Sequence, residues 1–128
     1  MTTYTSTGRM WHDGSWVFIE VDKSIRDYYC AVLNWLVAPV RPFEDPHITV
    51  VAGKYEQLPS YDIQPEIVEF TYSDILTDGH YYWLTTQCER LHEFRLENGL
   101  NRNLKYEPHI TVGKYDKNWG KKTVKRPR

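Results

Sequence analysis

Histidine and threonine two residues apart on an extended strand share one face, and this chain carries that pair twice. Pro-His-Ile-Thr-Val fills Pro46–Val50 and recurs 62 positions later at Pro108–Val112; Gly-Lys-Tyr follows each copy, after two extra residues in the first. Side chains alternate along a strand, so His47 and Thr49 point one way while Ile48 and Val50 point the other, and His109 and Thr111 repeat the arrangement. An imidazole titrates near ~6.5 and trades protons around neutral pH. Two imidazoles facing one phosphorus form an acid–base pair: one removes a proton from an attacking hydroxyl or water, and the other protonates the leaving oxygen. The threonine hydroxyls can donate to the non-bridging phosphate oxygens, whose charge shifts in the transition state. His47, Thr49, His109 and Thr111 are therefore the candidate catalytic residues, and this chemistry needs no protein nucleophile, metal or other cofactor.

Two blander readings compete with that one. A lone histidine on a strand is usually a satisfied core or surface group, but identical motifs around both weigh against that here. A zinc site is the other alternative, since His12, His80 and His92 are also available. Neither motif offers Cys, Asp or Glu at a ligand position, however, and Thr is not a usual zinc ligand.

Strand parity extends the prediction to the neighbours. On undistorted strands Val51, Gly53 and Tyr55 continue the His47 face, and Gly113 and Tyr115 continue the His109 face. Tyr55 and Tyr115 then border the site, with Lys54 and Lys114 pointing away. A bulge at Gly53 or Gly113 would reverse this assignment. Other candidates for stacking on a nucleobase are Trp119 in the C-terminal tail and Tyr4 and Trp11 in an N-terminal arm. Arg102 and Lys105, shortly before the second motif, are candidates for phosphate contacts.

The elements that must position these residues follow from periodicity. Trp16 to Val21 reads as a strand. Ile25, Tyr28, Tyr29, Val32, Leu33 and Leu36 recur at spacings of three and four, which predicts an amphipathic helix capped by Asp22 or Ser24 and ending before Pro39. Prolines 39, 42 and 46 lead in extended form to a strand from His47 to about Ala52. Strands are also predicted from Glu66 to Ile75 and from Tyr81 to Thr86, turning at Thr77-Asp78-Gly79. A helix from about Gln87 to Asn98, stopped by Gly99, precedes the strand His109 to Tyr115. Each half therefore reads strand, helix, strand. The predicted fold class is α+β: a single bilobal domain of two pseudo-symmetric lobes, about 14–56 and 66–116, with antiparallel sheets around a central cleft and a basic tail at 117–128. Neither half is long enough to enclose its own core.

Composition narrows the partners. The net charge of −1 conceals a division, because six of the sixteen basic residues fall in the last twelve positions, leaving ten basic against seventeen acidic residues in the first 116. A body of that balance suits a small anionic nucleotide or RNA end held locally, and no long duplex. Cys30 and Cys88 form no metal or redox motif. With no apolar leader and no membrane-length run, the expected setting is soluble and cytoplasmic.

The paired His-x-Thr motifs, each followed by an apolar residue, resemble the signature of the 2H phosphoesterase superfamily, which includes 2′-5′ RNA ligase-like proteins and cyclic phosphodiesterases. The element order of most of the chain is also similar, while the tail after Asp116 lies outside the likeness. The resemblance implies a bilobal fold and metal-independent attack on phosphodiesters beside a ribose 2′-oxygen, with His47, Thr49, His109 and Thr111 as catalytic residues. The short chain is similar to small phage anti-CBASS proteins that degrade cyclic oligonucleotide signals, which would act in a host cytoplasm. A 2′,3′-cyclic phosphodiesterase of RNA end processing and a non-catalytic nucleotide binder are the alternatives.

Overall fold

The computed structural model describes residues 2–54, 56 and 64–120. Along them run β1 (Tyr4–Asp13), β2 (Trp16–Glu20), α1 (Lys23–Leu36), β3 (Val40–Pro42), β4 (His47–Val51), β5 (Glu66–Thr77), β6 (Tyr81–Gln87), α2 (Glu89–Glu97) and β7 (His109–Tyr115). The strands join in one sheet of order β3-β7-β6-β5-β1-β2-β4, with every neighbouring pair antiparallel.

That order forces the sheet to curl. β3 and β4 are its two edges, yet only Phe43 to Pro46 separates them in the chain. Six interstrand gaps of ~4.8 Å would put the edges of a flat sheet ~29 Å apart. The five residue steps from Pro42 to His47 reach at most ~18 Å. The edges must therefore approach one another, and β4 packs against β7 although the two share no ladder. Arg26 of α1 holds the short link by donating to the carbonyls of Phe43 at 3.0 Å and Glu44 at 2.9 Å.

The helices cross between the halves of the chain. α1, from the first half, packs on β3 and β7, whereas α2, from the second, packs on β4 and β5. Each motif strand thus rests on the helix of the other half. Leu33, Leu91, Ile48, Val50, Ile110 and Val112 accordingly share one core, and the chain is a single α+β domain. Asp22 caps α1 as predicted, accepting from the Ser24 amide at 2.8 Å.

The predicted strand and helix positions agree closely with the structure, with two additions. The presumed N-terminal arm is the ten-residue strand β1, paired on both sides by β2 and β5. Its Ser/Thr-rich sequence obscured it, but Asp13-Gly14-Ser15 was a usable hairpin signal. Gly14 takes the positive φ of 62° demanded at the first position of such a turn. The proline-rich approach to β4 also contains the short strand β3.

Parity beyond the motifs is corrected. In both motif strands the two residues after threonine are buried in succession, Val50-Val51 and Val112-Gly113. The register explains it: Val17 and Phe18 oppose Val51 and Thr49, and Tyr82 and Trp83 oppose Gly113 and Thr111. Val50 and Val112 are therefore extra residues, a β-bulge at the same position of each repeat. After the bulge Val51 and Gly113 turn to the core, so Tyr115 continues on the side of α1 and not on that of His109.

The two repeated glycines permit close backbone approach. A Cβ on Gly113 would overlap the Val40 side chain and stand 2.8 Å from the Arg41 carbonyl oxygen; one on Gly53 would stand 2.6 Å from the Ser15 carbonyl carbon. Gly113→Ala is expected to destabilise by about 1–3 kcal/mol, the usual cost of overpacking, read as a lowered denaturation midpoint at unchanged slope.

Candidate functional site

The strand alternation predicted for the motifs is present: His47, Thr49, His109 and Thr111 are half-buried, while Ile48, Val50, Ile110 and Val112 are wholly buried. The histidines are held identically. His47 Nδ1 lies 2.8 Å from the Asp45 carbonyl oxygen, and His109 Nδ1 lies 2.9 Å from that of Glu107. A carbonyl only accepts, so each Nδ1 carries the proton and the lone pair is left on Nε2. The proline between acid and histidine is used alike too. Pro46 O accepts from the Val21 amide and Pro108 O from the Thr86 amide, each at 3.2 Å.

An aromatic ring stands beside each histidine. Phe18, directly opposite Thr49, has its ring centroid 5.7 Å from that of His47, and Trp83, opposite Thr111, is 6.4 Å from His109. A cavity of about 770 Å³ is bordered by Thr49 of the first motif and His109 of the second, together with Trp16, Arg95, Lys105 and Tyr106.

Bulges leave carbonyls out of the ladder, and here each is met by the helix packed behind it. The Val112 oxygen accepts from the Phe43 amide at 2.9 Å and from the Cys30 thiol of α1 at 3.1 Å. Burial pushes that thiol up to about 11, so it stays protonated and donates. The Val50 oxygen accepts from Arg95 Nη1 of α2 at 2.9 Å. Arg95 is 1% exposed, and every one of its donors is used. It forms a bidentate pair with Glu56 at 2.9 and 2.6 Å and reaches the carbonyls of Asn101 at 2.8 Å and Asn103 at 3.4 Å. One guanidinium thereby ties the first motif strand to the loop that leads into the second. Its hydrogen bonds hold the Glu56 carboxyl below the ordinary glutamate value.

The substrate-binding candidates are scattered. Trp11 stacks edge-on against Phe18 at 5.0 Å, which places it one ring away from His47. Lys105 borders the cavity. Arg102 is engaged by Glu89 at 3.0 Å, and Tyr4 packs on Tyr72 with centroids 5.6 Å apart. Trp119 lies in the turn after β7, its amide bonded to Asp116 O. None of Tyr4, Arg102, Tyr115 and Trp119 borders the cavity that holds Thr49 and His109. Tyr55 and the tail from 121 onward lie outside the described residues.

Sequence reasoning missed Arg95, Glu56, Phe18 and Trp83. Arg95 had a readable signal: it stands four residues after Leu91 on the buried stripe of α2, where a lone charge requires partners. Phe18 and Trp83 alternate with the core residues of their strands and so had to occupy the motif face.

No described helix is long and apolar enough to cross a membrane, and no group of three or more potential metal ligands occurs among the described residues. Comparison with protein-family models, curated proteins and solved structures returned no match.

Proposed function

We propose that this protein is a metal-independent phosphodiesterase acting beside a ribose 2′-oxygen, on a small substrate such as a cyclic oligonucleotide messenger. The observation that carries the reading is the matched pair of histidines, each with Nδ1–H committed to a carbonyl and Nε2 free to exchange a proton, on strands packed against one another. In this reading the two halves of the chain are pseudo-symmetric lobes, and the face bearing both motifs is a central cleft. The shared bulge, the shared proline contact and the reciprocal helix packing support that symmetry.

The chemistry follows from the free nitrogens. In a 3′-5′-linked cyclic oligonucleotide, Nε2 of one neutral histidine takes the proton of the 2′-hydroxyl as its oxygen bonds to phosphorus. The P–O5′ bond breaks, and Nε2 of the other, protonated histidine gives its proton to the departing oxygen. Thr49 and Thr111 donate to the non-bridging oxygens, where donors aimed at developing charge are most effective. The product carries a 2′,3′-cyclic phosphate, which water opens by the same exchange, so one site serves both substrates.

Incubation with a 3′,3′-cyclic dinucleotide and with an RNA fragment ending in a 2′,3′-cyclic phosphate, both in excess chelator, tests the proposal by chromatography. Linear products from the dinucleotide are expected and favour evasion of a nucleotide-signalled host defence. Opening of the RNA end alone assigns the protein to RNA processing. Recovery of both compounds unchanged would leave a nucleotide binder and sink the enzymatic reading.

A further inference from the structure

The two motifs are alike, but their flanks are not. Beside His47 the neighbouring strands present rings and a charge pair: Phe18 and Trp11 in edge contact, Arg9 5.0 Å from the Trp11 ring centre, and Arg9 paired with Glu20 at 3.2 Å. Beside His109 they present one ring, Trp83, and a row of uncharged hydrogen-bonding groups. Thr85 lies directly opposite His109, its Oγ1 2.9 Å from Ser73 Oγ, and Gln87 lies opposite Thr71. Thr85, Ser73, Gln87 and Thr71 border a second cavity of about 530 Å³, which shares the lining segment from Asn103 to Pro108 with the first. Thr86 borders it as well, and its buried Oγ1 has no hydrogen-bond partner among the described residues.

We infer that the row Thr85, Ser73, Gln87 and Thr71 is a base-reading subsite, which hydrogen-bonds the nucleobase on the His109 side of the scissile phosphate. The inference rests on the phosphodiesterase reading and specifies how its substrate is chosen. A phosphate would call for several cations, and this cavity borders on one lysine, Lys105, balanced by Glu107, and on His92, whose Nδ1 is engaged by the Arg102 carbonyl at 2.8 Å. An aliphatic ligand would meet none of the hydrogen-bonding capacity that the Ser73–Thr85 contact leaves over, nor that of Gln87. Hydroxyls and a carboxamide both donate and accept, which matches the mixed edge of a nucleobase. The cavity is of a size that holds small ligands. It follows that the two sides of the phosphodiester are read differently: beside His47 by rings, whose stacking tolerates any base, and beside His109, where Trp83 also stands, by added hydrogen bonding, which discriminates.

Turnover of the four nucleoside 2′,3′-cyclic monophosphates by wild type, Thr85→Val and Gln87→Ala tests this. Wild type is expected to prefer one base by about tenfold or more in kcat/KM, the order of one hydrogen bond. Each variant should reduce that preference severalfold, chiefly through KM. A wild type without preference, or variants that keep its ranking and ratios, would overturn the inference while leaving the phosphodiesterase reading intact. If wild type opens none of the four, that reading fails on this substrate, and titration with nucleoside 3′-monophosphates decides the subsite separately. Shifts of the Thr85 and Gln87 amide resonances that differ between bases support it, and unmoved resonances overturn it.

Discussion

His47→Ala and His109→Ala are each expected to lower kcat by about 10²- to 10⁴-fold on whichever substrate proves active, the range that one positioned acid or base supplies. The double variant should be little worse than either single one, because proton removal and proton delivery belong to a single displacement and their losses do not add. Folding should be nearly untouched. Both rings are half-buried, and the hydrogen bond of each runs to a carbonyl only two residues away, so their loss orphans no distant group. Circular dichroism and melting midpoints beside the kinetics separate the cases. A single variant with near-normal turnover would refute the paired mechanism, and inactivity accompanied by unfolding would show that the ring is structural.

The largest stability effect is expected at a residue outside both motifs. Glu56→Ala leaves the Arg95 guanidinium buried without its counter-ion, a change that costs about 3–5 kcal/mol for fully enclosed pairs. The Glu56 side chain keeps 22% of its surface in water, so the expected loss is about 3 kcal/mol, at the lower end of that range. Urea denaturation measures it directly. A loss under about 1 kcal/mol, the level of a surface pair, would show that the clamp contributes little.

The same pair has a pH signature. Folding depresses the Glu56 carboxyl below its ordinary value of 4.5, so its contribution is complete above that value and is lost as pH falls through the lower, folded-state value. Wild-type stability should fall below about pH 4.5 more steeply than that of Glu56→Gln, which has no carboxylate to protonate. Equal acid slopes would mean that the pair does not set this limb of the curve.

Much of the candidate site was legible in the chain because its determinants are local. Period-two alternation placed each histidine and threonine opposite two core residues, and strand, capping, turn and helix signals located seven of the nine elements among the described residues. The face of every residue up to each motif threonine needed only the geometry of a strand. β1 was hidden because serine, threonine and glycine carry little hydrophobic pattern, although its pairing with two neighbours makes it central to the sheet.

What the tertiary structure alone decided is everything that depends on which strands meet. The bulges at Val50 and Val112 exist only relative to the registers of β2 and β6, and by shifting parity they turned Tyr115 away from the site. The approach of β4 to β7 follows from a four-residue link between opposite sheet edges, a constraint invisible until the strand order is known. The role of Arg95 depends on Val50, Glu56 and the loop carbonyls of Asn101 and Asn103 converging on one guanidinium from distant parts of the chain. Up to a bulge, local sequence determines which way a side chain leaves its own strand. Long-range pairing determines what it meets there, because register and closure are settled by the burial and hydrogen bonding of the whole sheet at once.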